Sequence, residues 1–163
     1  MFSFFKRKPK NQDVAFQDLA QMLHLQEEGP TYKRGLLDSE KLDYSVESLG
    51  HIDKYLTVVH ADQVADQDEL MRVVLRVGAY VGEVIRRNAQ TEYHWLDYEV
   101  ASKQCQVVKE MGMSIGTAAV LWGSADRTCF PLAKVCKFLD NGEQDSVRFL
   151  AQVVIAQDSG AND

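Results

Sequence analysis

The segment from residue 66 to residue 88, DQDELMRVVLRVGAYVGEVIRRN, constrains the fold more than any other part of the chain. Its apolar side chains recur at steps of three and four residues, which is the period of an α-helix. Asp66 or Asp68 can cap its first turn, and Asn88 is suited to end it. Because the apolar positions cover more than one side, we expect a buried helix with neighbours on several sides.

Two glycines, Gly78 and Gly82, lie one turn apart inside this predicted helix. A glycine in a helix interior costs about 1 kcal/mol relative to alanine, so a pair requires a structural or functional reason. We favour close packing, because a helix that lacks Cβ atoms at these positions lets another element approach its backbone. Gly50, inside another predicted helix, is the candidate for that crossing. The alternative is a notch that admits a ligand or a moving partner.

The N-terminal half is predicted to be helical. Apolar residues with helical spacing indicate helices at residues 13–28, with Asp13 as a cap, and at residues 45–60. A short connection joins the second of these to the central helix, and short connections favour antiparallel neighbours. We therefore expect an N-terminal helical hairpin around the buried glycine-containing helix.

The C-terminal half begins with short strands and ends with helices. The predicted elements are strands at residues 93–98, 117–121 and 128–130, followed by helices at residues 132–139 and 146–157. Residues 99–111 fit a helix capped by Asp97, and a strand through residues 104–108 is the competing interpretation. This segregation of helices and strands favours an α+β fold with a small antiparallel sheet and C-terminal helices.

A chain of 163 residues has the length of one ordinary domain. We predict a globular domain at residues 13–157, between a flexible basic N-terminal tail at residues 1–12 and a polar C-terminal tail at residues 158–163. The N-terminal tail places aromatic rings beside a basic run, which permits weak contact with an anionic membrane surface. The side chains concerned are Phe2, Phe4, Phe5, Lys6, Arg7 and Lys8. No apolar run has the length of a transmembrane segment.

The charge of the chain is unevenly distributed. The first ten residues carry four basic side chains and no acidic one, so the remaining 153 hold 14 basic and 24 acidic side chains, a formal charge of −10. Nucleic-acid binding requires a basic surface, so we expect no nucleic-acid partner. Another protein, in particular a basic one, suits this acidic domain better.

The cysteines and histidines indicate neither disulfides nor a metal site. Three cysteines without a CxxC motif argue against a disulfide framework and favour a reducing, cytoplasmic location. His51, Asp53, His60 and Asp62 lie close in sequence, but acids and histidines are common on helix exteriors. We predict no metal and no cofactor.

One polar cluster at the end of the central helix is a candidate ligand site. Together with the two glycines, its residues are Gly78, Gly82, Glu83, Arg86, Arg87, His94, Trp95 and Asp97. An acid, a histidine and two arginines beside a tryptophan suit an anionic small molecule or general acid–base chemistry. We favour the structural interpretation, a helix C-terminus followed by a half-buried edge strand, and we predict no catalytic residue.

Four stretches carry a resemblance to a known group of proteins: LDYSVESLGHIDKYL, GAYVGEVIRRN, HWLDYE and FPLAKVCKFLDNGEQDS. In their order and character they resemble a group of small uncharacterised bacterial cytosolic proteins, a domain of unknown function. The resemblance covers residues 36–155. It implies the same succession of a helical segment, a glycine-bearing helix and a proline-led helix, and it implies no catalytic residue.

Three functions are compatible with these features. The one we favour is a non-enzymatic protein-interaction module of the cytoplasm, with neutralisation of a basic partner as one form of it. The second is a protein or enzyme that binds a small anionic ligand through the cluster from Glu83 to Asp97. The third is peripheral attachment to a membrane through residues 1–10.

Overall fold

The computed structural model describes residues 12–24, 31–124 and 127–160. Its helices and strands are α1 (Gln12–Gln21), α2 (Leu49–Asp62), α3 (Gln67–Asn88), β1 (His94–Asp97), α4 (Tyr98–Gln104), α5 (Gln106–Met111), β2 (Ala119–Ser124), β3 (Arg127–Cys129), α6 (Pro131–Asn141) and α7 (Val147–Ser159). Single turns of 3-10 helix lie at residues 34–36, 39–41, 115–117 and 143–145. The predicted α+β fold class is confirmed. The predicted membrane contact of Phe2 to Lys8 lies outside the described residues.

The central helix α3 forms where its sequence pattern places it. The Oδ1 atom of Asp66 caps it by accepting hydrogen bonds from the backbone N–H groups of Asp68, at 2.9 Å, and Glu69, at 3.1 Å. Every residue from Val77 to Ile85 is buried, so protein covers this part of the helix on all sides. Asn88 does not take the left-handed conformation; it stays helical and its side chain donates to the carbonyl of Val84 at 2.7 Å.

The neighbours of α3 come from both ends of the chain. Helix α3 packs most extensively against α1 and α6, and it also contacts α7, whereas α2 packs mainly against α6 and α7. The predicted hairpin of α2 and α3 is therefore not a close helix pair. The prediction that Gly50 crosses α3 is wrong, because a methyl group on Gly50 would face the side chain of Arg148, with its nearest atom at 3.6 Å.

Two N-terminal helix boundaries differ from the prediction. Helix α1 ends at Gln21 and a turn follows it, whereas the pattern extended the helix to residue 28. Helix α2 begins at Leu49 rather than residue 45, because Tyr44 adopts a left-handed conformation and a turn precedes the helix. In that turn Ser45 donates its backbone N–H and its hydroxyl to the Asp43 carboxylate.

The three strands form the small antiparallel sheet that the sequence predicts, and their order in it is β1-β2-β3. Trp95 pairs with Leu121 and both face the main core, whereas Leu96 and Val120 face the opposite side, which α4 and α5 cover. Residues 99–111 are helical, so the strand interpretation is wrong. The helix is broken at Cys105, whose backbone is extended.

The C-terminal helices extend beyond their predicted bounds. Pro131 occupies the first turn of α6, and Ser146 caps α7 by accepting a hydrogen bond from the N–H of Phe149. Helix α7 continues to Ser159, so the polar tail does not begin at residue 158. Asp158 is buried, and its carboxylate accepts hydrogen bonds from Thr91, which holds the end of α7 against the molecule.

Candidate functional site

Protein atoms fill the space beside both glycines of α3. A Cβ atom on Gly78 would lie 3.1 Å from the Cα atom of Leu132 in α6, and one on Gly82 would collide with the ring of Trp95 in β1. Close packing is therefore the reason for these glycines, and they form no notch for a ligand. The crossing elements are α6 and β1.

The charged residues of the predicted cluster meet in part. Glu83 is 2% exposed, and its Oε1 atom accepts hydrogen bonds from Nη1 of Arg86 at 2.9 Å and from Nε1 of Trp95 at 3.1 Å. The Nε atom of Arg86 donates to the carbonyl of Tyr93 at 2.9 Å. This arrangement joins the last turns of α3 to β1 and to the residue before it.

Asp13 of α1 completes the cluster, although the sequence pattern assigned it only a cap. One carboxylate oxygen accepts a hydrogen bond from the backbone N–H of Trp95 at 2.7 Å. The other lies 2.8 Å from Nδ1 of His94 and 3.1 Å from Nη2 of Arg86. Phe16, one turn further along α1, stacks on Trp95 with ring centroids 4.1 Å apart.

Two members of the predicted cluster lie elsewhere. The guanidinium carbon of Arg87 stands 3.5 Å from the ring centroid of Tyr44, which in turn stacks on Tyr80. Asp97 caps α4 by accepting a hydrogen bond from the N–H of Val100 at 2.9 Å. Both contacts are structural, so neither residue adds a free charge to the cluster.

The remaining cluster of Asp13, Glu83, Arg86, His94 and Trp95 is an anchor between elements. Its hydrogen bonds run between α1, α3 and β1, and its residues line none of the four cavities considered below. His94 is half exposed, whereas Glu83 is buried and Arg86 and Asp13 are mostly buried. Most polar groups of the cluster are therefore engaged in contacts between elements.

The residues considered for a metal are also occupied separately. Asp53 accepts hydrogen bonds from Ser146 and from the backbone of Val147, and Asp62 pairs with Lys33 at 2.6 Å. Nδ1 of His60 lies 2.7 Å from the carbonyl of Leu139. Within residues 12–24, 31–124 and 127–160, no three His, Cys, Asp or Glu side chains are grouped as metal ligands.

An apolar groove lies where the first turns of α3 meet the end of α6. Its volume is about 210 Å³, and we name it the α3–α6 groove, lined by Gln67, Leu70, Met71, Val74, Ile115, Cys136, Leu139 and Asp140. The α3 residues follow the spacing i, i+3, i+4, i+7, which places them on one helix face. Burial and then the nearby Asp140 carboxylate raise the pKa of the Cys136 thiol. The groove therefore presents apolar surface and a thiol that is mostly protonated at neutral pH.

A second cavity lies between α2 and the segment of 3-10 turns before it. It has a volume of about 250 Å³, and we name it the α2 cavity, lined by Leu36, Asp38, Lys41, His51, Lys54, Tyr55 and Val58. The four α2 residues again follow the spacing i, i+3, i+4, i+7. That spacing is visible in the sequence. The opposite wall of the cavity is formed by Leu36, Asp38 and Lys41 in the segment before α2, and local sequence patterns do not predict the position of that segment.

Two further cavities contain little reactive chemistry. A polar one of about 260 Å³ lies beside Tyr93, Cys129 and the ion pair of Arg127 with Asp158. Burial is the main cause that raises the pKa of Tyr93 and of Cys129 to about 12, so both stay protonated at neutral pH. The last has a volume of about 220 Å³ and borders Lys54 and Glu143.

Comparisons with known proteins indicate no function for this chain. No protein-family model matches the chain, and neither the curated proteins nor the solved structures include a match. The resemblance to small bacterial cytosolic proteins stays a prediction. In the described part of the chain, no helix has both the length and the apolar character needed to cross a membrane.

Proposed function

We propose that the protein is a non-enzymatic interaction module that binds a basic partner protein through the α3–α6 groove. The observation that carries this proposal is an apolar helix face left open to solvent. Met71 in its centre is 47% exposed, although Val74, one turn away, is buried. Covering such a face with a partner's side chain removes apolar surface from water, and one large apolar side chain is worth about 1.5–3 kcal/mol.

The groove has the dimensions of an anchor site for a side chain. Its volume is about 210 Å³, and its lining is mostly apolar. It accommodates one large apolar side chain of a partner segment. Methionine is adaptable in shape, so Met71 suits a contact that forms with a partner's anchor.

The charge near the groove favours a basic partner. Asp140 lines the groove, and Asp66 and Asp68 are exposed at the adjoining start of α3. Arg72 and Lys137 lie next in sequence to lining residues, and the acids outnumber them. The formal charge of −10 on residues 11–163 has the same sign. An anchor residue with basic neighbours is therefore the complementary partner segment, steered by opposite charge.

The chemistry of the groove supports binding rather than catalysis. Its titratable side chains are Cys136 and Asp140, and the raised pKa of the Cys136 thiol lowers the fraction of nucleophilic thiolate. A cytoplasmic setting belongs to this proposal, since all three cysteines are free thiols. The alternative, a small anionic ligand at the Glu83–Asp97 cluster, has less support, because the polar side chains of that cluster largely bond to one another.

Site-specific photocrosslinking tests the proposal. A photoreactive amino acid at Met71, and in a separate variant at the exposed Phe149 of α7 as the matched control, is activated in an extract of the native cell. We expect an adduct from position 71 only, with a crosslinked segment that carries an apolar residue and basic neighbours. A synthetic peptide of that segment should bind the wild-type chain, and Met71→Asp should weaken binding at least about tenfold whereas Phe149→Asp does not.

The same experiment contains the outcomes that contradict the proposal. An adduct that forms equally from both positions shows nonspecific contact. An acidic crosslinked segment contradicts the basic partner, and a peptide affinity that Met71→Asp leaves unchanged removes the groove from the interaction. Raising the salt concentration should weaken the authentic complex, because opposite charges are screened.

A further inference from the structure

We infer that the α2 cavity binds a small organic anion, an acid group attached to an apolar body. This site is separate from the α3–α6 groove and does not depend on the function proposed for it. The inference starts from its lining, in which two lysines and a histidine face an apolar wall inside a cavity of about 250 Å³. In a chain with an acidic body, such a concentration of cationic side chains is a local exception.

The cations of the cavity are available. Lys54 forms no ion pair within 4.0 Å among the described residues, and it also lines the neighbouring cavity that contains Asp53 and Glu143. Lys41 stands 3.9 Å from Asp38 in a loose pair whose side chains are both more than half exposed. Exposed pairs of this kind are weak, so an incoming anion can compete for the ammonium group.

The apolar wall faces the same space. Leu36 is 56% exposed, an unusual exposure for a large aliphatic side chain, and Val58 lines the opposite side on α2. Tyr55 also lines the cavity, and its hydroxyl donates a hydrogen bond to the carbonyl of Tyr32. A ligand that carries only a charge would leave Leu36 in water, whereas one with an apolar ring would cover it.

The wall that carries Leu36 and Lys41 is held in place. The buried guanidinium of Arg34 donates to the carbonyl of Leu37 and to the hydroxyl of Ser39, and its Nε atom has no hydrogen-bond partner within the part of the chain that the structure describes. Leu37 and Leu42 anchor the segment in the main core. A preformed wall reduces the ordering cost of binding, and the Arg34 charge adds to the positive potential nearby.

The charges around the cavity define the class of ligand. Asp38 is the acid in the lining, and it stands with the two lysines Lys41 and Lys54. The Arg34 cation lies behind the wall, whereas Asp53 and Glu143 line a separate cavity together with Lys54. Within the lining of the α2 cavity the lysines outnumber the acid, which favours an anion, and carboxylate and phosphate groups share the required chemistry.

An NMR titration of the full chain tests the inference. The probes are phenyl phosphate, benzoate and inorganic phosphate, with benzyl alcohol as the neutral analogue. We expect saturable shifts at His51, Lys54 and Val58 from both aromatic anions, with a Kd on the order of 1 mM. Stronger binding of phenyl phosphate would assign a phosphate ligand, and stronger binding of benzoate would assign a carboxylate.

Matched variants separate the site from general charge. Lys41→Gln and Lys54→Gln should each weaken binding of the aromatic anions about fivefold, and Lys103→Gln on the exposed face of α4 should leave it unchanged. Leu36→Ser should weaken the aromatic anions and not inorganic phosphate. The inference is overturned if no probe gives saturable shifts up to about 20 mM, if benzyl alcohol binds equally well, or if both lysine variants bind normally.

Discussion

Glycine has opposite consequences at residue 82, in the middle of α3, and at residue 50, in the first turn of α2. A methyl group on Gly82 would lie 2.6 Å from Cη2 of Trp95, and that ring is fixed by its stack on Phe16 and its bond to Glu83. We therefore expect Gly82→Ala to lower the free energy of unfolding by about 1–3 kcal/mol through overpacking. Urea denaturation measures this change.

Gly50→Ala is the matched control for that substitution. Its methyl group meets the nearest atom of Arg148 at 3.6 Å, an ordinary contact, so the gain in helix propensity remains. We expect the free energy of unfolding to rise by up to about 1 kcal/mol. Changes of the same sign in both variants would contradict the assignment of Gly82 to close packing.

His24 predicts a pH dependence of stability. Burial lowers its pKa below 6.5, and the charges of Arg34 and Arg87 lower it further. As the pH falls below 6.5, the unfolded chain binds a proton that the folded chain resists, so stability decreases. The carboxylates of Asp43 and Asp62, with pKa values lowered from 3.8, act at lower pH.

The measurement is the free energy of unfolding in urea between about pH 7 and pH 5. We expect it to decline in this range for the wild-type chain and to decline less for His24→Gln, which cannot take up the proton. The two chains are compared by the slope of the free energy of unfolding against pH. A change in stability that His24→Gln causes equally at every pH therefore does not affect the result. Parallel slopes would show that His24 titrates alike in the folded and unfolded chain.

At the scale of elements, Asp13 attaches α1 to the rest of the domain. Its carboxylate bonds to the backbone of Trp95, to His94 and to Arg86, and these contacts bridge α1 to β1 and α3. Asp13→Ala should cost about 2–3 kcal/mol, since hydrogen bonds to a charged group are lost together. Asp18→Ala on the exposed face of the same helix should change stability by less than about 0.5 kcal/mol.

Hydrogen exchange gives this prediction a second readout. If Asp13 is the anchor, amides of α1 should exchange faster in Asp13→Ala, with a smaller change in the middle of α3. Equal stability losses in Asp13→Ala and Asp18→Ala would contradict the anchor.

At the scale of the whole molecule, the two faces of the sheet have unequal cores. The main core joins α1, α2, α3, α6 and α7, whereas the second consists of Ala101, Cys105, Val108 and Val120 with partly buried neighbours. Val100, Val107, Met111 and Met113 remain exposed on the α4–α5 side. Regions with few buried apolar contacts open at lower free energy than the centre of a domain.

We therefore expect α4 and α5 to open without unfolding of α3. Native-state hydrogen exchange should show lower protection in residues 98–111 than in residues 77–85. Val108→Ala should speed exchange in residues 98–111 much more than in α3. The same opening free energy for both segments, in the wild-type chain and in the variant, would show one cooperative unit instead.

The helices whose positions depend on local sequence signals were predictable. The cap at Asp66, the proline at the start of α6 and the period of α3 place these helices, because caps and hydrophobic faces depend on neighbours within four residues. The cluster around Glu83 was predictable only in part. Asp13 lies 70 positions before Glu83 in the chain, and no local pattern indicates that the two side chains share Arg86.

Local sequence signals are sufficient to predict an α+β domain around α3, because periodicity, caps and glycines act over one or two turns. The neighbours of Gly78 and Gly82 depend instead on long-range packing, which places Leu132 and Trp95 in the space beside them. Long-range packing also brings Leu36 and Lys41 to the face of α2. Contacts of this kind join residues from distant parts of the chain, and their free energy depends on packing that no single segment encodes.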